Sequence, residues 1–501
     1  MRERITFVQK LGESLDPSTF KINGDSLTGP QIKAAREDRL TWALEELPYE
    51  LQSLLEGAHE IHIRWVSPVA YEAVSPFLAR LPPGFHLFFT PGAGTKAENT
   101  SEMLCSVLSE IFGGIHCSSP TASFTRLPNN RFSHATALQY FQPLSSLSGF
   151  IEYSKDKLCS PSDSSCIARL DRLNEASSLD ISYDTISHAL KGAASWPYQP
   201  HTIHATSRPR SRTEVGVLSA DKPKNMEPHE LGISGLLTVL GQDSSPSATV
   251  FTFPSRHRDA ESGFSIKFLE PTGLHPTLQI RLDSNKPPST DSYCSPHAYF
   301  TLPSTVFADK YQLDDDLFLA SRNLTKLQYI SQPVDLEAPE YVMEKWGSSI
   351  LVELSPPNTE KSAPWTAEIP LHLRYLSPAQ GGYHKVEVPY PAVFWACAAE
   401  EGTKFPTNPF EKVNLGYDGL FGPRTVFWHV EPRPEAGKLL QNAVKVPVLD
   451  LDKSQWVNIV TAITVLIGFA WVSWKLGVVY FASGHGSSAA SSKPASEKKK
   501  Q

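Results

Sequence analysis

Asp314, Asp315 and Asp316, in Tyr311-Gln-Leu-Asp-Asp-Asp-Leu-Phe318, carry the most evident chemistry in this sequence. Asp314 and Asp316 have the D-x-D spacing at which two carboxylates converge on a hard cation and, through it, on a nucleotide sugar. The same acids, standing ahead of Leu-Phe-Leu, also suit a helix N-cap and first turn, where they meet the positive end of the helix dipole. Capping is the preferred reading, so no metal ligand is assigned. His275, in Thr272-Gly-Leu-His-Pro276, and His384, in Gly381-Gly-Tyr-His-Lys385, are the histidines best placed to act as acid or base. Each stands beside turn residues and has no Ser, Cys or carboxylate partner close in sequence, so turn or packing roles are expected. The sequence has no GxSxG, P-loop, GxGxxG followed by an acid, HExxH or CxxC pair. No catalytic residue and no cofactor is assigned.

The cysteines and sequons carry a different message. Cys105, Cys117, Cys159, Cys166, Cys294 and Cys397 permit three disulfides in fifteen pairings, and none has a zinc-site spacing. In sequence, Cys105 groups with Cys117 and Cys159 with Cys166, while Cys294 and Cys397 stand apart; connectivity stays open. An even cysteine count suits an oxidising compartment. Asn99-Thr-Ser101 and Asn323-Leu-Thr325 are glycan acceptors if the chain meets that machinery.

The element that would position all of these is near the C-terminus. Trp456 to Trp474 is uncharged and rich in Val, Ile, Ala and aromatics. At the helical rise it spans about 28 Å, close to the hydrocarbon thickness of a bilayer. Val460 to Ala470 is apolar on every face, unlike an amphipathic core helix. Trp456, Trp471 and Trp474 sit where indoles favour headgroups, and Lys475 can snorkel from a span ending near Phe481. Thr461, Ala462, Thr464, Gly468 and Ser473 are small or hydroxyl residues that suit close packing against a partner helix. The polar tail beyond the span ends Glu497-Lys498-Lys499-Lys500-Gln501; Lys498 and Lys499 match the dilysine retrieval signal of ER membrane proteins, which must face the cytosol.

Orientation rests on charge. The first ten residues lack an apolar signal-peptide core, which alone would suggest a tail anchor with a cytosolic domain. Lys475, Lys493 and Lys498 to Lys500 on one flank, against Asp450, Asp452 and Lys453 on the other, favour a cytosolic tail and a lumenal domain. The net charge of −7 gives no basic field for nucleic acid.

Ahead of the span lie about 450 residues, enough for two or three cores. The expected class is α+β. Residues 1–200 read as a mixed α/β region, with strands at Glu60–Val66 and His86–Thr90 and helices at Tyr49–Gly57, Val69–Arg80 and Ser101–Phe112. The polar, proline-studded stretch 201–227 reads as a linker. Residues 228–449 read as an antiparallel β-sandwich of short strands: Gly235–Leu240, Ala248–Phe253, Thr277–Leu282, Ala298–Leu302, Ser349–Leu354, Glu368–Tyr375, Lys385–Val388, Ala392–Trp395 and Thr425–Trp428. Residues 456–481 form the transmembrane helix and 482–501 the cytosolic tail.

Several of these stretches resemble a known family. Tyr293-Cys-Ser-Pro-His-Ala-Tyr-Phe-Thr-Leu-Pro-Ser-Thr-Val-Phe307 and Asp309-Lys-Tyr-Gln-Leu313 resemble the opening of the PIG-X domain. His372-Leu-Arg-Tyr375, Gly382-Tyr-His-Lys-Val386 and Val388-Pro-Tyr-Pro-Ala-Val-Phe-Trp-Ala-Cys397 resemble its later part. Arg36-Glu-Asp-Arg-Leu40 and Glu60-Ile-His-Ile-Arg-Trp65 resemble the N-terminal region of the fungal branch, the protease B nonderepressible proteins. The resemblance implies a non-catalytic, lumen-facing subunit of the ER enzyme that adds the first mannose to the glycosylphosphatidylinositol (GPI) precursor. Catalysis would belong to a multi-span PIG-M-type partner using dolichol-phosphate mannose. For a fungal member the resemblance also implies assistance in folding some ER proteins. Two alternatives stay open: a general ER chaperone, and a metal-dependent glycosyltransferase using Asp314 and Asp316.

Overall fold

A computed structural model describes residues 1–482, except 14–15, 129–136, 209–210, 225, 228, 290–292, 332–334, 360, 407 and 436. Among the described residues the N-terminal half supplies β1 (Arg2–Gln9), β2 (Lys21–Asn23), β3 (Ser26–Ala43), β4 (Ala58–Val66), β5 (Gly84–Pro91) and β6 (Thr125–Arg126). It continues with β7 (Leu138–Gln142), β8 (Ser178–Asp184), β9 (Ala189–Thr206), β10 (Arg212–Asp221), β11 (Glu230–Val239) and β12 (Ser247–Pro254). All twelve form one sheet, in the order β12-β11-β10-β1-β3-β9-β8-β4-β5-β7-β6, with β2 paired to β3. Its neighbours are antiparallel except β1 and β10, which run parallel.

One face of this sheet is covered by helices α1 (Tyr49–Glu56), α2 (Thr95–Phe112), α4 (Ser148–Leu158) and α5 (Ser164–Asp171), with the single turn α3 (Pro120–Ser123) beside them. Leu104, Leu108 and Ile111 recur along one side of α2 and meet Ile61, Ile63, Phe85 and Leu87 of the sheet. Because side chains alternate along a strand, Arg64, Val66 and His86 point to the opposite face. Val66 there joins Tyr299, Leu351 and Phe394 of a second sheet.

That second sheet uses β13 (His257–Phe268), β14 (Thr277–Leu282), β15 (Cys294–Pro303), β17 (Leu324–Ile330), β18 (Gly347–Leu354), β19 (Trp365–Pro370), β22 (Ala392–Ala398) and β23 (Thr425–Pro432). Their order is β17-β18-β15-β22-β23-β13-β14-β19, antiparallel except for the β13–β23 pair. β16 (Val306–Phe307) pairs with β20 (His372–Leu373), and β21 (Tyr383–Pro389) with β24 (Gln441–Pro447). The short helix α6 (Asp316–Ser321) precedes β17, and α7 (Ser454–Ala482) is the apolar helix. The class is α+β, with a sheet-rich C-terminal region.

Three expectations need correction. The stretch 201–227 is not a linker: it holds the end of β9 and all of β10, which pairs with β1 at the centre of the first sheet. The second sheet therefore begins at His257, because residues 230–254 belong to the first. Prolines in the neighbouring long strands β3 and β9 fit through irregularities. Pro30 and Pro197 both fall where the β3–β9 register shifts, so their missing N–H groups cost no ladder bond. Thirdly, Val69–Arg80 is not helical. Pro76 within it has no N–H to donate and would clash with a preceding helical turn. The segment instead runs extended, Ala70 N–H donating to Lys438 O at 2.6 Å and Tyr198 N–H to Glu72 O at 3.3 Å.

Candidate functional site: the motif strands and the membrane anchor

The stretches Tyr293–Phe307 and Val388–Cys397, ninety residues apart, are side by side in space. β15 pairs with β22 in antiparallel register, Cys294 opposite Cys397 and Tyr299 opposite Ala392, and a disulfide joins the two cysteines. Phe307 likewise lies opposite His372 in the β16–β20 ribbon. Phe394 is fully buried, its ring within 6 Å of those of Tyr417, Phe421 and Phe427. Burying rings of this size contributes a large share of a core's stability. The motif residues hold a sheet together; none of them converges on an open cleft.

A polar seam runs between the two sheets. Gln139 of β7 donates to Tyr299 Oη at 2.9 Å and accepts from Ser349 Oγ at 3.4 Å; Trp346 Nε1 donates to the Gln139 carbonyl at 2.9 Å. Tyr417 Oη donates to Arg80 O at 3.0 Å. Burial pushes the Tyr299 and Tyr417 phenols upward, so both serve as neutral hydrogen-bonding groups. Further along, Asp180 receives Lys412 Nζ at 2.6 Å and lies 3.3 Å from Arg64 Nη1. Burial alone would raise this carboxyl; the two cations outweigh it and hold Asp180 below its usual value. Arg64, Asp180, Ser195 and Lys412 line a cavity of about 30 Å³, room for one or two waters and too small for a sugar. Nearby, His257 Nδ1 and His429 Nε2 are 2.9 Å apart, both buried. Burial draws His257 down to about 3 and His429 well below its ordinary value, so the pair is neutral.

The first sheet buries ion pairs as well as rings. Arg36 grips Asp38 with two hydrogen bonds of 2.7 Å, while its guanidinium lies over Phe7 and Trp196. Glu3, fully buried, pairs with Arg169 of α5.

The chemistry-bearing residues of the sequence are scattered. Asp315 caps α6, its carboxylate accepting from Phe318 N–H at 3.0 Å, and Asp314 and Asp316 flank it at the surface. His275 and His372 face each other with their Nδ1 atoms 3.0 Å apart, and His384 Nε2 reaches Ser377 O at 2.9 Å. The structure selects one of the fifteen disulfide pairings: Cys105–Cys117, Cys159–Cys166 and Cys294–Cys397. Asn99 is exposed on α2. Asn323, also exposed, has a φ of 56°, and its amide donates to Thr366 O at 2.8 Å. Lys498 and Lys499 lie outside the described residues.

α7 is 29 residues long, about 43 Å, enough to cross a bilayer with its headgroup layers. Its small residues do not share one face. At 3.6 residues per turn, Thr461, Thr464 and Gly468 fall within about 60° of one another, whereas Ala462 and Ser473 lie roughly a third of a turn away. Nothing stands within 4 Å of where a Gly468 Cβ would be, so the first face is open.

A family model described as PIG-X / PBN1 matches residues 271–477. Protein pbn1 of Neurospora crassa is 67% identical, over 97% of this chain and 97% of that protein. The chain belongs to the PIG-X/PBN1 family. Protein PBN1 of Gibberella zeae is 49% identical over 95% of both chains, and protein pbn1 of Emericella nidulans 42% over 97% of both. Similarity to these PIG-X/PBN1 members therefore includes the first sheet. The family match itself begins after β13, although β13 lies inside the second sheet, between β23 and β14. Sequence reasoning missed the seam residues Gln139, Asp180, Lys412, Tyr417 and His429, while Arg64 stood in a quoted motif without a role. Arg36 and Asp38 were visible in a quoted motif, but nothing local marks a charged strand as buried.

Proposed function

We propose that this PIG-X/PBN1 protein is a non-catalytic, single-pass subunit of the ER mannosyltransferase that adds the first mannose to the GPI precursor. Its soluble part stands in the lumen and stabilises a multi-span PIG-M-type catalytic subunit, which draws mannose from dolichol phosphate. Family membership over nearly the whole chain carries the reading. Three disulfides agree with a lumenal domain, since cytosolic thiols are kept reduced. α7 is the anchor, with Thr461, Thr464 and Gly468 as the face offered to a partner helix and Ala462 and Ser473 on a separate face. Asn99 and Asn323 are the glycan acceptors, and Lys498 and Lys499 the cytosolic retrieval signal. A sealed, ring-filled sheet beneath the motifs suits a protein that supports folding, in the partner and in some other ER proteins, better than one that turns over substrate. Depleting the protein should lower the abundance of the catalytic partner and accumulate the unmannosylated precursor. Normal first-mannose transfer after complete depletion would sink this reading.

A further inference from the structure

The segment leading into α7 is stapled rather than free. Residues Ser377–His384 and the chain from Lys445 through α7 form a small unit of their own. Ala379 N–H donates to Leu449 O at 3.1 Å, Leu451 N–H to Ala379 O at 3.2 Å, and Val448 N–H to Gly382 O at 2.9 Å. Gly381 and Gly382, at φ of 77° and 73°, make the turn that brings the loop back. The collar passes into the helix without a gap: Lys453 N–H donates to Asp450 O at 3.0 Å, and Ser454 Oγ to Leu451 O at 2.7 Å.

Its surface is not that of an ordinary polar loop. Tyr383, Leu449 and Leu451 are exposed, as is Trp456 in the first turn of α7. Lys445 Nζ lies 4.2 Å from the centre of the Tyr383 ring. The other end of α7 repeats the arrangement, with Lys475 Nζ 5.1 Å from the Trp474 ring and 5.9 Å from that of Trp471. A ring with an ammonium beside it matches the headgroup layer, where the ring meets the glycerol region and the cation meets phosphate.

Length decides the depth. If Trp456 to Trp474, about 28 Å, fills a hydrocarbon core of about 30 Å, each headgroup layer adds roughly 5–7 Å. Leu451 precedes Trp456 by five residues, about 7.5 Å at the helical rise. It therefore reaches the outer edge of that layer, together with Ala379, to which it is hydrogen-bonded.

We propose that this collar is a lipid-binding surface: Tyr383, Leu449 and Leu451 enter the headgroup layer beside the N-terminal end of α7, and Lys445 binds a phospholipid phosphate. The inference rests on α7 being a membrane span. It explains why the loop is stapled at three points: the helix emerges at a set depth rather than from a flexible tether.

The test uses the full chain in phosphatidylcholine nanodiscs, with a bimane probe on Gln380→Cys in the collar and, separately, on Val465→Cys within α7. The collar probe should be quenched at least twofold more by headgroup-spin-labelled lipid than by mid-chain-labelled lipid, and poorly by aqueous iodide. Adding Tyr383→Ser, Lys445→Ser and Leu451→Ser should abolish the headgroup quenching while mid-chain quenching at Val465→Cys persists. Free access of iodide to the collar probe, or shielding from both iodide and lipid labels, would overturn the proposal while leaving the span intact. Loss of mid-chain quenching at Val465→Cys would overturn the span and the collar with it.

Discussion

The two sheets differ in where they bury charge. At the second, Tyr299, Phe394, Tyr417 and Phe427 form a ring cluster with no charge among them, and His257 and His429 beside it are neutral; Arg258 and Glu353 are buried outside that cluster. The first sheet places Arg36, Asp38 and Glu3 beside Ile5 and Phe7. Burial of apolar area is non-directional and stabilises any arrangement that excludes water. A buried ion pair offsets its own desolvation only in one geometry, so it contributes little net stability but penalises alternatives heavily. Of the first sheet's buried charges, Glu3 ties β1 to α5 through Arg169, whereas Arg36 and Asp38 both stand on β3 and lock that strand's own side chains in one geometry.

Removing single side chains would sharpen that contrast most. Phe394→Ala should cost about 3–5 kcal/mol, by transfer loss plus cavity. Asp38→Ala should cost about as much, through the Arg36 charge left buried. The double replacement Arg36→Met with Asp38→Leu should recover most of the loss in chemical denaturation, because no charge then remains to desolvate. A double variant as unstable as the single one would break the comparison.

Next come the staples. On loop entropy alone, the disulfide spanning 103 residues should contribute about 4.7 kcal/mol and the one spanning 7 about 2.4 kcal/mol. Replacing both cysteines of a pair by Ser should therefore lower the denaturation midpoint more for Cys294 and Cys397 than for Cys159 and Cys166. Equal losses would show that native-state geometry, not chain entropy, sets the scale.

Acid should act through the buried histidines. His257, drawn down to about 3, and His86, to about 4 by burial, stay neutral in the folded chain near pH 5, whereas unfolding frees them to bind protons below about 6.5. The unfolded state then holds more protons, so stability is complete above pH 6.5 and falls progressively toward pH 4. His257→Gln should flatten that decline in denaturant titrations at successive pH values; an unchanged slope would place the effect elsewhere. The smallest effect separates the two readings of the acidic triplet. Asp315→Ala should cost about 1 kcal/mol as a lost cap, with Asp314→Ala and Asp316→Ala close to neutral.

Most second-sheet strands were readable because their signal is local. Thr277-Leu-Gln-Ile-Arg-Leu282 alternates, has turn residues on both sides and forms β14 over those same residues. α2 was found from Leu104, Leu108 and Ile111 for the same reason. Nothing local marks Arg2-Glu-Arg4 as the start of β1, yet Glu3 is completely buried against Arg169, a residue 166 positions away. β10 was lost among prolines and basic residues, although Val215 and Val217 are core. In neither case does the chain carry the partner's location in its own neighbourhood.

What the sequence determined alone is therefore the part whose environment is set by its own composition. A nineteen-residue uncharged run marks itself as a candidate span without any partner, since its length and hydropathy match the bilayer. Only tertiary structure decided which cysteines pair, that 201–227 lies inside a sheet, and that the two family motifs are neighbouring strands. Each is a contact between distant residues, and the order of a sheet follows from which pairings close together with the fewest unpaired polar groups. The same holds at the foot of α7. Its residues mark a candidate membrane helix, but the loop 377–384 that staples residues 448–451 ahead of it came into view only once the chain was folded.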